Sequence, residues 1–182
     1  TVEGGTSLTY GLNFKKVNKK NNLDVLSLDI SSLVRIKENL DLPKTSTLGK
    51  KSSDVFGNIQ MNLNKNIDFK YNFALDNNFN KTNYVSFSTT FSLNKLVTTF
   101  EYFDEKNNSE NESFTSNYTT LKLDDNNSIN FSLRRNNELS ATEYYNLIYN
   151  YKNDCLMASV KFKKEYYKDS DLEPEKEIFF EL

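Results

Sequence analysis

Ile67-Asp68-Phe69-Lys70-Tyr71-Asn72-Phe73-Ala74-Leu75 places Ile67, Phe69, Tyr71, Phe73 and Leu75 at one parity and Asp68, Lys70, Asn72 and Ala74 at the other. Successive side chains of a β-strand point to opposite faces, so this stretch reads as a strand with one apolar and one polar side. Val85, Phe87, Phe91 and Leu93 repeat the pattern against Ser86, Ser88, Thr90 and Ser92. A soluble sandwich and a transmembrane barrel both produce such alternation. They place the apolar face against different solvents, and that choice bears on function.

Working outward predicts about eleven strands. The first carries Leu8, Tyr10, Leu12 and Phe14; the second covers Asp24 to Ile36. Val55, Ile59, Met61 and Leu63 mark the third, ahead of the quoted fourth. Tyr84 to Leu93, Leu96 to Phe103, Thr115 to Leu123 and Ile129 to Arg135 follow. The ninth carries Tyr145, Leu147, Tyr149 and Tyr151, and the tenth Leu156, Ala158, Val160 and Phe162. A last strand begins near Ile178.

Short connections fall around 18–22 and at 64–66, 94–95, 124–127 and 152–154. They are rich in Asn, Asp and Lys, residues that suit tight turns. Between them the sequence predicts longer loops at 37–53, 76–83, 104–114, 136–142 and 169–177. Regular alternation of short and long connections is the up-and-down order of a bacterial barrel, with short periplasmic turns and long extracellular loops. A Greek-key sandwich would not keep the two classes in register, so the rhythm favours a barrel. Single-chain bacterial barrels have even strand numbers, and an open sheet edge has no partners in lipid. Eleven strands, with a start at Thr1 and a stop at Leu182 inside a strand, are therefore expected to be part of a larger barrel.

Composition fits this reading without proving it. The chain has 182 residues and a net charge of −2, so no strong field attracts nucleic acid. No run of 18 apolar residues exists, which excludes a transmembrane helix. A transmembrane strand is only half apolar, so a mean hydropathy of −0.69 is compatible with a barrel. Phe and Tyr supply 25 residues, and Asn is abundant, as AT-rich coding would produce.

No catalytic constellation emerges. The chain has no His and one Cys, so neither a metal site nor an imidazole-activated nucleophile can be assembled from its soft ligands. No cofactor is expected, and no enzyme activity. Asp104, Glu105, Glu110 and Glu112, and again Asp169, Asp171, Glu173 and Glu175, read as solvated loop carboxylates without cation-ligand spacing. Asn-x-Ser/Thr triplets at Asn107, Asn111, Asn117 and Asn126 follow from the abundance of those residues. Gly4-Gly5 lacks the strand–glycine loop–helix context of a nucleotide site. Lys70, Arg134, Lys161 and Lys163 are candidates for a wet lumen, although a basic stripe on a soluble sheet would look the same. Cys155 falls at a tight turn on the inferred periplasmic side. It reads as a small hydrophobe, or as half of a disulfide to sequence outside the chain.

Three stretches resemble one family, the lipopolysaccharide-assembly outer-membrane proteins LptD (OstA/Imp). The first is Val2-Glu3-Gly4-Gly5-Thr6 with Tyr10-Gly11-Leu12. The second is the loop Leu42-Pro43-x-x-Ser46-x-Leu48-x-x-Lys51-x-Ser53-Asp54-x-x-Gly57. The third runs from Tyr145-Asn146-Leu147-x-Tyr149-x-Tyr151-x-Asn153-Asp154-Cys155-Leu156-x-Ala158 to Tyr166-Tyr167-x-Asp169 and Glu173-Pro174-Glu175. The resemblance implies that residues 1–182 are the C-terminal part of a very large outer-membrane barrel in a Gram-negative bacterium, without its periplasmic N-terminal domain. It implies lipopolysaccharide as cargo, an LptE-like plug lipoprotein, a periplasmic lipopolysaccharide bridge protein and outer-membrane lipid as partners. It places Ile178, Phe179, Phe180, Glu181 and Leu182 in a lateral-gate strand. Cys155 would match the position whose disulfide ties barrel to periplasmic domain. Leu156 stands where some members have a second cysteine, so at most one such bond is available. The competing readings are a porin or other large outer-membrane receptor, and a soluble β-sandwich adhesin or carbohydrate-binding module using Tyr145, Tyr149 and Tyr151 as a platform.

Overall fold

A computed structural model describes residues 4–20, 22–43, 46–106, 111–166 and 176–181. Eleven strands form one sheet in sequence order: β1 (Ser7–Asn18), β2 (Leu23–Arg35), β3 (Val55–Asn64), β4 (Ile67–Leu75), β5 (Thr82–Leu93), β6 (Leu96–Lys106), β7 (Asn111–Lys122), β8 (Asn127–Asn136), β9 (Ala141–Lys152), β10 (Met157–Glu165) and β11 (Lys176–Glu181). The sheet is antiparallel and up-and-down, and its order is open, with β1 and β11 at the two edges. The predicted strand number and order are the observed ones.

The chain divides into two units. One holds Thr1–Leu63, Asp68–Phe87 and Phe103–Glu112; the other holds Asn64–Ile67, Ser88–Tyr102 and Ser113–Leu182. Within the first, register sets Leu8, Leu12 and Phe14 of β1 opposite Val34, Ile30 and Leu28 of β2. Leu28 and Ile30 in turn oppose Ile59 and Gly57 of β3. Gly57 lies under the ring of Phe73, and a Cβ there would come 2.1 Å from the ring's Cζ. The bare glycine is what lets that ring lie flat on the sheet. The other face of β1–β4 is polar: Asn13 donates to Asp29, and Asn58 to Asn72.

The second unit repeats the division. Ile129, Phe131 and Leu133 of β8 oppose Tyr149, Leu147 and Tyr145 of β9. Tyr149 and Leu147 oppose Val160 and Phe162 of β10, which oppose Phe180 and Ile178 of β11. These side chains form one apolar face, and much of it is exposed: Leu147, Tyr149, Val160, Phe162, Ile178 and Phe180 all stand open. Among the described residues Ala74 is the only buried apolar side chain. A sandwich would have covered this face with a second sheet. No second sheet is present among the described residues.

The short turns use the expected chemistry. At Asn18, Asn64, Asp124 and Asn153 a side-chain oxygen accepts the backbone N–H two residues on, at 3.0, 2.7, 2.8 and 2.9 Å. This Asx geometry reverses the chain locally. Two of the predicted long loops are shorter than the sequence implied. β6 continues to Lys106 and β7 starts at Asn111, leaving 107–110 between them. β8 and β9 leave only 137–140. Asp104, Glu105, Asn111 and Glu112 have low strand propensity and read as loop. Pairing with neighbouring strands overrides that local preference. Among the described residues the connection therefore stays longer at 76–81 and is short at 137–140; the predicted loops at 104–114 and 169–177 fall in part outside the described residues.

Candidate functional site

The longest described connection is itself a folded structure. Its described parts, 36–43 and 46–54, pack along the end of β2, so that Arg35 N donates to Lys51 O at 2.8 Å and Ser53 N to Leu33 O at 2.8 Å. Val34 and Ser52 form an antiparallel bridge. A single 3-10 turn (Thr47–Gly49) is capped by Ser46 Oγ, which accepts from Leu48 N. Gly49 is required there because a Cβ would lie 2.7 Å from Asn39 O. The groups that anchor the loop are polar and buried. Ser53 is fully buried; its Oγ accepts from Leu33 N at 2.9 Å and donates to Asp54 O at 2.8 Å. Arg35, 4% exposed, donates from Nε to Leu48 O at 2.7 Å. A buried ion is tolerated only when hydrogen bonds replace its water, and the loop carbonyl does so.

Beside this loop, on the polar face, the first unit contains a cavity of about 700 Å³. The loop contributes Thr47, Lys50 and Asp54, and the 76–81 turn contributes Asn77, Asn78 and Lys81. Phe56 and Tyr84 supply aromatic walls, with Tyr84 held edge-on to Phe103 at 5.5 Å and 82°. Sequence reading did not single out this cavity. Its sequence signal is Tyr84, out of phase with Val85 and Phe87, together with the loop motif that ends at Gly57.

The four candidate lumen cations all lie on the polar face of their strands. Lys70 shares its parity with Asn72, in the first unit. In the second unit Arg134 opposes Tyr144, while Lys163 opposes Asn146 and Lys161 opposes Ile148. Across β9, Lys163 lies two residues along from the level of Arg134 and Lys161 four, so the three share a face without meeting. Arg134 is fixed by Glu143 (Nε to Oε2, 2.7 Å) and stacks its guanidinium 3.8 Å from the Phe114 ring centre. Lys163 pairs with Glu165.

Cys155 is an exposed free thiol in the turn between β9 and β10, its N–H bonded to Asn153 Oδ1. Ile178, Phe179, Phe180 and Glu181 belong to β11, where Ser159 Oγ donates to Glu181 Oε2 at 3.2 Å. Val2, Glu3, Asn107, Glu110, Tyr167, Asp169, Asp171, Glu173, Pro174, Glu175 and Leu182 lie outside the described residues.

Aromatic residues mark both ends of the apolar face in the second unit. Tyr145 meets Tyr166 at 5.6 Å near the longer connection, and Lys164 lies 4.2 Å over the Tyr166 ring. Tyr149 bonds Asn127, and Tyr151 accepts from Asn153 Nδ2 at 3.0 Å, near the short turns. Tyr145 and Tyr151 are about 20 Å apart along a strand, given roughly 3.3 Å per residue. Aromatic girdles about 25 Å apart bound the lipid-facing band of outer-membrane barrels.

With an exposed apolar face so bounded, the comparison with known families becomes decisive. A family model described as LptD, LPS transport system D, matches residues 1–142. The chain belongs to the LptD family. No significant match to a curated protein was found. LptD is an outer-membrane family of Gram-negative bacteria that works in lipopolysaccharide transport and assembly. The matched residues include the folded loop and the cavity. Cys155 and β11 lie beyond them.

Proposed function

We propose that residues 1–182 form the C-terminal part of the barrel wall of a lipopolysaccharide translocon, which inserts its cargo into the outer leaflet. The observation that carries this reading is the exposed apolar face, in a chain of the LptD family. An uncovered row such as Leu147, Phe162 and Ile178 is unfavourable in water, at about 25 cal/mol per Å² of apolar surface. It is satisfied in hydrocarbon. Edges open at β1 and β11 cannot remain unpaired in lipid, so further strands of the same barrel complete the ring.

The polar face then lines the lumen. Lys70, Arg134, Lys161 and Lys163 present cations to the cargo's glycan, while the acyl chains leave sideways. In this reading β11, from Ile178 through Phe180 and Glu181 to Leu182, is a gate strand that parts from its neighbour. Cys155, at a short-turn and therefore periplasmic end, bonds to a cysteine of the periplasmic domain. An LptE-like lipoprotein fills part of the lumen, and a periplasmic bridge protein delivers lipopolysaccharide.

Depletion of the full-length protein in its own cells tests the reading. Newly made lipopolysaccharide should stop reaching the surface, measured with an impermeant lipopolysaccharide-binding probe. Unchanged surface delivery, with loss of small-solute uptake instead, would favour a porin and reject the translocon.

A further inference from the structure

The cavity of the first unit offers a specific chemistry that the general picture of a polar lumen does not assign. Its volume of about 700 Å³ lies within the roughly 300–1,000 Å³ of ligand sites. Its carboxylates are already engaged. Asp54 accepts from Asn83 Nδ2 at 2.9 Å, and Asp76 Oδ1 accepts the N–H groups of Asn80 and Lys81 at 2.6 and 2.8 Å. Glu105 also has a partner, and Lys106 faces Asp104 at 3.8 Å. Lys50 and Lys81, by contrast, have no ion-pair partner among the described residues, and the side-chain amides of Asn77 and Asn78 have no hydrogen bond there. Two ammonium groups and two carboxamides without partners among the described residues thus line the same space as the Phe56 and Tyr84 rings.

Each part narrows the ligand. Asp54, Asp76 and Glu105 balance Lys50, Lys81 and Lys106 in formal charge, so selection is local: an ammonium that no carboxylate meets pairs with an anionic group, and carboxamides both donate to and accept from hydroxyl groups. Aromatic faces cover the C–H faces of a pyranose ring. An acyl chain would leave the lysines and amides dehydrated without partners, which disfavours it. We propose that this cavity binds an anionic sugar unit, bearing a phosphate or a carboxylate, of the glycan being transported. The assignment rests on the lipopolysaccharide-transport reading. It adds a fixed station, built by the 36–54 loop and the 76–81 turn, at which the polar part of the cargo is held.

The test uses the full-length protein in its outer membrane, with a photo-reactive amino acid at position 78 and, as reference, at position 162 on the apolar face. The probes are whole lipopolysaccharide, the same material stripped of core phosphates, and lipid A lacking both the core and its own phosphates, since phosphorylated lipid A would itself offer an anionic sugar. Position 78 should cross-link whole lipopolysaccharide and not lipid A. The K50Q/K81Q double variant removes two ammonium groups and should lower the yield by at least about tenfold, the effect of losing a single charge-assisted hydrogen bond. K50R/K81R should restore it. Heat-modifiable migration equal to wild type shows that each variant is folded. Loss of adduct after phosphate removal identifies a phosphate sugar, and persistence identifies a carboxylate sugar; both support the site. Equal yields with lipid A, or no change in K50Q/K81Q, overturn it. Normal surface delivery with no adduct at position 78 rejects the cavity alone, whereas unchanged delivery after depletion rejects the translocon reading beneath it.

Discussion

Leu147 and Asn146 are consecutive residues of β9, and they belong to different regions of the molecule. Leu147 lies between Phe131 and Phe162 on a face whose members share only their hydrophobicity. Asn146 opposes Ser132 and Lys163, and its Nδ2 donates to Ser132 Oγ at 3.2 Å. The first face is generic and the second is specific. An apolar solvent asks only that a side chain be apolar, so many residues serve. A polar interior asks each group to find a partner of matching geometry, as Arg134 does with Glu143. The contrast explains why the apolar face is written in the simple period of the sequence while the polar face is written in particular pairs.

The largest effect should come from breaking the generic face with charge. Leu147→Lys puts an ammonium near the middle of the band bounded by Tyr145 and Tyr151, at a cost of about 2–4 kcal/mol. Heat-modifiable migration of the full-length protein should show little folded barrel. Asn146→Lys, one residue away, should assemble nearly as wild type, and equal defects at both positions would erase the contrast.

Next in size is the most deeply buried cation of the polar face. Arg35→Ala removes the donor to Leu48 O and frees the 36–54 loop, costing about 1.5–3 kcal/mol. The temperature at which the folded form is lost on gels should fall, and limited proteolysis should cut within the loop. Arg134→Ala should have a smaller effect, about 1–1.5 kcal/mol, because its ion pair is partly open to water. An Arg134 effect above that of Arg35 would show that burial does not rank the specific face.

The smallest effect belongs to a turn that lies on neither face. The Asp124 carboxyl is held below its ordinary range chiefly by the Asn126 N–H, then by the Asn127 side chain. A native pKa below the unfolded one makes the contribution complete above the ordinary carboxylate range. It is lost as acidification passes through the native value. Asp124→Ala should therefore lower the unfolding temperature slightly at pH 7, and the two proteins should converge in acid.

Much of this molecule was readable before folding. Alternation at Ile67–Leu75 and Tyr145–Tyr151 gave strand identity, and Asn18, Asn64, Asp124 and Asn153 announced their turns. The strand ends at Asp104–Lys106 and Asn111–Glu112 carry a loop-like sequence, because their local propensity is poor and only cross-strand pairing makes them extend. The polar-face placement of Lys70, Arg134, Lys161 and Lys163 followed from parity. Their partners did not, because Glu143 and Phe114 reach Arg134 from neighbouring strands through register.

By itself, then, the sequence determined a two-faced antiparallel sheet of eleven strands, since side-chain period and turn chemistry are local properties. Only the tertiary structure decided that the 36–54 loop folds onto β2 through Arg35 and Ser53. It alone decided that Lys50, Asn78, Lys81 and Tyr84 line one cavity. Those groups lie up to 34 residues apart in the chain, and contacts at such separations depend on strand register and loop closure, which no local pattern encodes.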